Sequence, residues 1–215
     1  MLADRILFLD GEAIMLDKPA GLAVHPGPRT RESLEDFLPD LRFGFHRPPA
    51  LVHRLDRDTS GCLLLARNPK ALKRFQQAFE AGGAEKAYWG VLSGVPGEAH
   101  GEIDLPLAKV SSRAEGWRIV ADPKGKPART AWRTLAIAGG RALVEFRPAT
   151  GRTHQIRVHA ASGLGLPLAG DPVYGAGDGP MLLHARTLRV PREPKPPIEA
   201  TAPLPESFRA AGFGD

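Results

Sequence analysis

His53-Arg54-Leu55-Asp56-Arg57-Asp58-Thr59-Ser60-Gly61, followed at once by Cys62-Leu63-Leu64-Leu65-Ala66, sets a carboxylate among cations directly before an apolar run. The run reads as a buried strand, and Thr59-Ser60-Gly61 supplies the turn chemistry that leads into it. Arg54 and Arg57 flank Asp56, and nearby positive charge favours an ionised carboxylate. Such a carboxylate, held at the entrance of a strand, can act as a nucleophile. Composition alone leaves a second reading open, a solvated loop of mixed charge whose ion pairs stabilise little. Arg54 precedes Asp56 by two residues, so in an extended segment the two side chains project to the same side.

Outward from this stretch, Ile6-Leu7-Phe8-Leu9 and Ala13-Ile14-Met15-Leu16 flank Asp10-Gly11 and predict a hairpin that delivers the chain to Lys18-Pro19. Asn68-Pro69 pairs a capping residue with a proline at the first helical position. Leu72, Phe75 and Phe79 then recur at helical spacing until Gly82-Gly83. Strands are predicted over 86–93, 117–120, 128–137 and 141–147, the last two joined at Gly139-Gly140. Thr153 is expected to cap a short helix that runs to about Ser162 and stops at Gly163, with Ile156 and Val158 packed inward. The proline-dense stretch from Pro191 to Pro205 predicts an extended strap rather than another element. Strands in groups with few helices between them favour an α+β fold over a doubly wound α/β sheet.

The chain has 215 residues and 42% hydrophobic content, enough for one large domain or two small lobes with a sizeable core. Lys and Arg number 29 against 24 Asp and Glu, a formal net charge of +5. Arg29, Arg31, Arg42, Arg47, Arg54 and Arg57 make the first quarter basic, and Lys124, Lys126, Arg129 and Arg133 form a second cluster. That distribution suits a polyanionic partner and equally a solvated basic face. Cys62 is the only cysteine, so no intrachain disulfide can form, and its apolar setting suits a small buried hydrophobe. Neither a signal-peptide succession nor a run of membrane-spanning length is present, which predicts a cytosolic protein. His154 and His159 are five apart and do not share a helical face, so no metal site is expected. Gly163-Leu164-Gly165 lacks the third glycine of a dinucleotide loop, and Asp171 before Pro172 reads as a turn residue.

The nonapeptide around Asp56 resembles the H-R-L-D-x-x-T-S-G motif of the RluA family of pseudouridine synthases. Further stretches match the same family in order: Lys18-Pro19-Ala20-Gly21-Leu22-Ala23-Val24-His25-Pro26, Glu85-Lys86-Ala87-Tyr88, Gly151-Arg152-Thr153-His154-Gln155-Ile156-Arg157-Val158-His159 and Leu182-Leu183-His184-Ala185. The resemblance implies a central, mostly antiparallel or mixed sheet in two halves, with flanking helices and an active-site cleft. It implies one catalytic domain over residues 1–215, the short form without an N-terminal RNA-binding domain. The activity implied is isomerisation of uridine to pseudouridine in structured RNA, a stem-loop of transfer RNA or ribosomal RNA, by a monomer needing no cofactor or metal. Asp56 would be the nucleophile or base at the ribose, Tyr88 the ring stacked on the target base, and Arg152 the cation paired with the carboxylate. Arg54, Thr59, Ile156 and Leu183 would contact the substrate. The alternative from another class is a catalytically silent RNA-binding chaperone of the same fold.

Overall fold

The protein is described by a computed structural model for residues 1–27, 30–112 and 116–214. Arg29 of the first basic cluster lies outside the described residues. In chain order the strands are β1 Ile6–Leu9, β2 Ala13–Lys18, β3 Ala50–Leu51, β4 Ser60–Ala66, β5 Glu85–Leu92 and β6 His100–Asp104. They continue with β7 Leu107–Ser112, β8 Gly116–Ala121, β9 Arg129–Ala138, β10 Arg141–Pro148, β11 Leu183–Arg192 and β12 Lys195–Thr201. The helices are α1 Leu34–Phe37, α2 Pro69–Glu80, α3 Gln155–Val158 and α4 Glu206–Ala210. The chain divides into two compact units, Met1–Lys86 with His184–Pro203 and Ala87–Leu183 with Leu204–Asp215.

In the first unit the sheet is built on β4. β2 runs antiparallel along one edge of β4, from Ala13 opposite Ala66 to Lys18 opposite Gly61, and β1 pairs antiparallel with β2 as the Asp10-Gly11 turn predicts. The other edge of β4 is shared. β11 joins it in parallel at Ser60 and Gly61, and β3 joins it antiparallel at Leu65 and Ala66. Every residue of β4 is buried, which is why the run from Cys62 to Ala66 is continuously apolar rather than alternating. Each buried leucine of that run stabilises the unit by about 1.5–3 kcal/mol. α2 begins where expected: the Asn68 side chain accepts from the Ala71 N–H at 2.9 Å, Pro69 follows, and Phe75 is fully buried. Cys62 is buried, and burial pushes its thiol up to about 12.

In the second unit β5, β10, β9 and β6 follow one another as antiparallel neighbours, and β7 and β8 form a separate hairpin. β10 is apolar on both faces. Ala142, Val144 and Phe146 pack with Ile156 and Ala160, whereas Leu143 packs with Val91, Phe208 and Phe213. Period-two alternation therefore sends the apolar residues of β10 into two layers. Of its charged residues Arg141 and Arg147 are exposed, and Glu145 is buried but accepts from Arg133 and Arg147, each at 2.8 Å. The mixed sheet pairing with few helices is the α+β fold that the strand grouping predicts.

Two expectations are corrected. The segment after Pro191 is not a strap: Lys195–Thr201 forms β12, antiparallel to β11 from Thr187 opposite Thr201 to Arg192 opposite Lys195. Among the described residues β12 pairs with β11 only, and an edge strand tolerates prolines that a central strand would not. The helix after Gly151 is not capped by Thr153. His154 takes a left-handed conformation, φ 52°, and so turns the chain one residue later; the helix starts at Gln155 and passes into a π turn over His159–Gly163.

Candidate active site

Asp56 sits half-buried in the loop that feeds β4, and contacts along its whole length hold that loop. Leu55 is buried beneath it, and the Thr59 N–H donates to the Asp56 carbonyl at 3.2 Å. Ser60 Oγ and His184 Nδ1 lie 2.9 Å apart. Gly61, at φ 103°, lies so close to Ala185 that an added Cβ would strike its carbonyl. The Thr-Ser-Gly and Leu-His-Ala stretches, far apart in sequence, are thus the two sides of one parallel pairing.

A further contact comes from the Lys-Pro-Ala-Gly stretch. Lys18 is fully buried, and its ammonium donates to the carbonyls of Pro19 and Leu22 at 2.8 Å and of Arg57 at 2.9 Å. Gly21, at φ 85°, donates its N–H to the same Arg57 carbonyl at 2.9 Å. Burial pulls the Lys18 ammonium down to about 8, against the opposing pull of the Asp58, Asp56 and Asp17 carboxylates. Sequence reasoning quoted this stretch but assigned Lys18 no role; nothing in the residue type says that a lysine is buried.

His53 anchors the upstream side. Its ring stacks on Phe79 with centroids 4.5 Å apart, and Nε2 accepts from the Leu64 N–H at 3.0 Å, so the proton of the neutral ring is on Nδ1. Burial and the charge of Lys86 hold this imidazole down at about 3. The Arg57 guanidinium also grips the Asp58 carboxylate, at 2.9 and 3.0 Å. Arg54 is exposed, Leu55 buried and Asp56 half-buried, the alternation of an extended segment. Thr59 is buried, with 2% of its surface exposed, so it supports the loop.

The second unit carries Tyr88, Arg152, Ile156 and Leu183. Tyr88, on β5 opposite Phe146, packs partly buried against the apolar cluster that contains Ile156 and Leu183, so these three share one surround. Arg152 is exposed, and its Nε donates to the Pro127 carbonyl at 3.1 Å. Its backbone is fixed by Gln155, a buried residue not singled out by sequence. Gln155 Oε1 accepts from the Arg152 N–H at 3.0 Å and from Thr150 at 2.7 Å, while Nε2 donates to the Arg129 carbonyl and to Thr130. Asp171 exceeds its expected turn role. It caps the N–H groups of Val173 and Tyr174 and holds Arg157 bidentately at 2.8 and 2.7 Å, both side chains buried. Burial alone would raise the Asp171 carboxyl, but Arg157 and the two amides hold it below its ordinary value.

Among the described residues no three His, Cys, Asp or Glu side chains gather as a metal site would require, and no helix is long and apolar enough to cross a membrane.

Comparison with known proteins places this arrangement. The family model described as "RNA pseudouridylate synthase" matches residues 12–162. An uncharacterized RNA pseudouridine synthase of Zymomonas mobilis is 57% identical, over 99% of each chain. The ribosomal large subunit pseudouridine synthase C of Vibrio vulnificus is 34% identical over 96% of this chain and 68% of its own. The solved human RNA pseudouridylate synthase domain containing 4 superposes with a TM-score of 0.83 at 27% identity, covering 97% of this chain and 91% of that one. The match spans the clamped Asp56 loop, β5 and the Arg152 segment alike, and the chain belongs to the RNA pseudouridylate synthase family.

Proposed function

We propose that this protein converts uridine to pseudouridine in ribosomal RNA, with Asp56 as the residue that acts at the ribose. The single observation that carries the assignment is the clamp on the Asp56 loop: a buried ammonium, a half-buried histidine and a glycine-only strand contact all hold the backbone around one half-buried carboxylate. Holding a reactive group this closely serves its positioning. Pseudouridine formation breaks the N1–C1′ bond, turns the freed uracil, and joins C5 to C1′; the C5 proton leaves and N1 ends protonated. Asp56 either attacks C1′ or takes the proton that generates a glycal. In this reading Tyr88 stacks on the turned base, Arg152 is the cation assigned to the carboxylate, and Arg54, Thr59, Ile156 and Leu183 bear on the nucleotide or its supports. Both units serve this one reaction as a single catalytic domain, acting as a monomer in the cytoplasm.

The Vibrio vulnificus relative is named for the large ribosomal subunit, which favours ribosomal over transfer RNA here. Site-by-site pseudouridine mapping of total RNA from a strain lacking the gene, complemented with wild type or Asp56→Asn, tests the reading. One or a few ribosomal sites should vanish on deletion and return with the wild type only. Sites that persist on deletion would overturn it, and rescue of a growth defect by Asp56→Asn would favour the chaperone alternative.

A further inference from the structure

The loop Arg42-Phe43-Gly44-Phe45-His46-Arg47 alternates basic and aromatic residues, and nothing in the reaction above uses it. Phe43 and Phe45 leave 39% and 37% of their surface exposed, two aromatic rings within three residues of one another. The loop is nevertheless held in place. Arg67, at the end of β4 away from Asp56, donates to the carbonyls of Arg42 at 3.0 Å, Phe43 at 2.8 Å and Asp10 at 2.6 Å. Its guanidinium carbon lies 3.8 Å from the centre of the Phe45 ring.

Beside the ring is a cavity of about 560 Å³, within the size range of small-molecule sites. Its walls are mainly apolar, with Phe45, Pro69 and Leu72 among them, while Arg47, Arg67 and His46 are the ionisable residues that line it. Among the described residues the lining has no carboxylate. Arg67 is 8% exposed, and its buried Nε has no acceptor. The cavity also borders Asn68 and Pro69, the start of the twelve-residue α2, where the helix dipole adds positive potential. A flat, apolar ligand carrying negative charge satisfies all of these features, and a nucleotide is such a ligand: its base has two faces for stacking and its phosphate is an anion.

We propose that this pocket binds an unpaired nucleotide of the substrate RNA, base against Phe45 and Leu72, phosphate towards Arg47. The proposal rests on the reading of this chain as an RNA-modifying enzyme. It adds a second contact point, since the pocket lies at the opposite end of β4 from the Asp56 loop, roughly 20 Å away at ~3.3 Å per strand residue. Contact there would let the protein select a target by the spacing between an unpaired nucleotide and the modified uridine.

The test is photocrosslinking of ribosomal RNA transcripts carrying 4-thiouridine to the Asp56→Asn protein, followed by mass spectrometry of the joined peptides. Crosslinks within residues 43–47 are expected; crosslinks confined to other segments would overturn the proposal. Because the Asp56→Asn protein needs no turnover to crosslink, retained crosslinks together with no product from the wild-type protein would count against the enzymatic reading alone. Arg47→Glu, at an exposed position, should raise KM for the transcript about tenfold and leave kcat and Tm unchanged, as expected for uniform binding. An unchanged KM would overturn the proposal. UMP at millimolar concentration supplies the other source of the same chemistry: if it abolishes the crosslink yet leaves KM for RNA unchanged, the pocket serves a free nucleotide and the RNA assignment fails.

Discussion

Lys18 Nζ lies 2.9 Å from the carbonyl oxygen of Arg57, the residue immediately after Asp56. The buried ammonium shares its remaining donors between Pro19 and Leu22, so one side chain ties the Lys-Pro-Ala-Gly loop to the Asp56 loop. Lys18 is a positioning residue in this account, since it acts on the substrate only through Asp56.

Lys18→Met should therefore lower kcat by about ten- to a hundredfold while KM changes little, because a displacement of an ångström in a reacting group has that effect. The pH dependence separates positioning from plain support. Lys18 titrates at about 8 in the folded protein, and a neutral amine keeps two N–H donors for three carbonyls. Wild-type kcat should fall as pH rises through about 8, and the Met variant should lack that step. Parallel pH–rate profiles on one RNA transcript decide it; identical profiles for both proteins would count against the clamp.

Gly61→Ala should destabilise the protein by at least about 2 kcal/mol, since φ 103° is strained for any residue with a Cβ and the methyl group would meet the Ala185 carbonyl. Urea unfolding reads this as a lower midpoint at unchanged slope. Gly11→Ala, where a Cβ meets nothing and φ is not positive, is the matched control and should change stability by less than about 1 kcal/mol.

His53 is neutral in the folded protein, its pKa about 3 against 6.5 ordinarily. The unfolded chain therefore binds a proton that the folded chain does not between these values, so stability falls as pH drops from about 6.5 towards 3. His53→Gln keeps an acceptor for the Leu64 N–H and should flatten that acid limb. Urea midpoints at pH 7 and pH 4.5 should differ less in the variant than in the wild type.

In the second unit, Asp171→Asn should cost about 3–5 kcal/mol, because it takes the carboxylate's charge away from a buried guanidinium. Arg157→Met with Asp171→Asn should recover part of that loss, since no charge is then left unpaired. A double-mutant cycle by thermal unfolding gives the coupling, and additive losses would mean that the two side chains stabilise the fold independently.

Much of the architecture was legible in local pattern. Asn68-Pro69 with apolar spacing marked α2, Asp10-Gly11 marked the β1/β2 hairpin, and Gly139-Gly140 marked the β9/β10 hairpin, because caps and glycine turns act within a few residues. Where legibility failed, the cause was non-local. β12 was read as a strap because proline counts against a strand, and only its place on an edge makes those prolines harmless. The cap at His154 rather than Thr153 depends on a left-handed turn that spacing does not reveal.

The same division runs through the site. By itself the sequence determined the family and singled out the residues proposed to carry its chemistry: Asp56 before an apolar strand, Tyr88 in its strand, Arg152 ahead of a short helix, each within a motif whose order specifies the family. Only the tertiary structure decided what holds them. That Lys18 is buried against the Arg57 carbonyl, that Ser60 meets His184, and that Gln155 satisfies the backbone of Arg152 are pairings across folded distance. A buried polar group must find its partners wherever the chain brings them, and that requirement is met in three dimensions, not along the sequence.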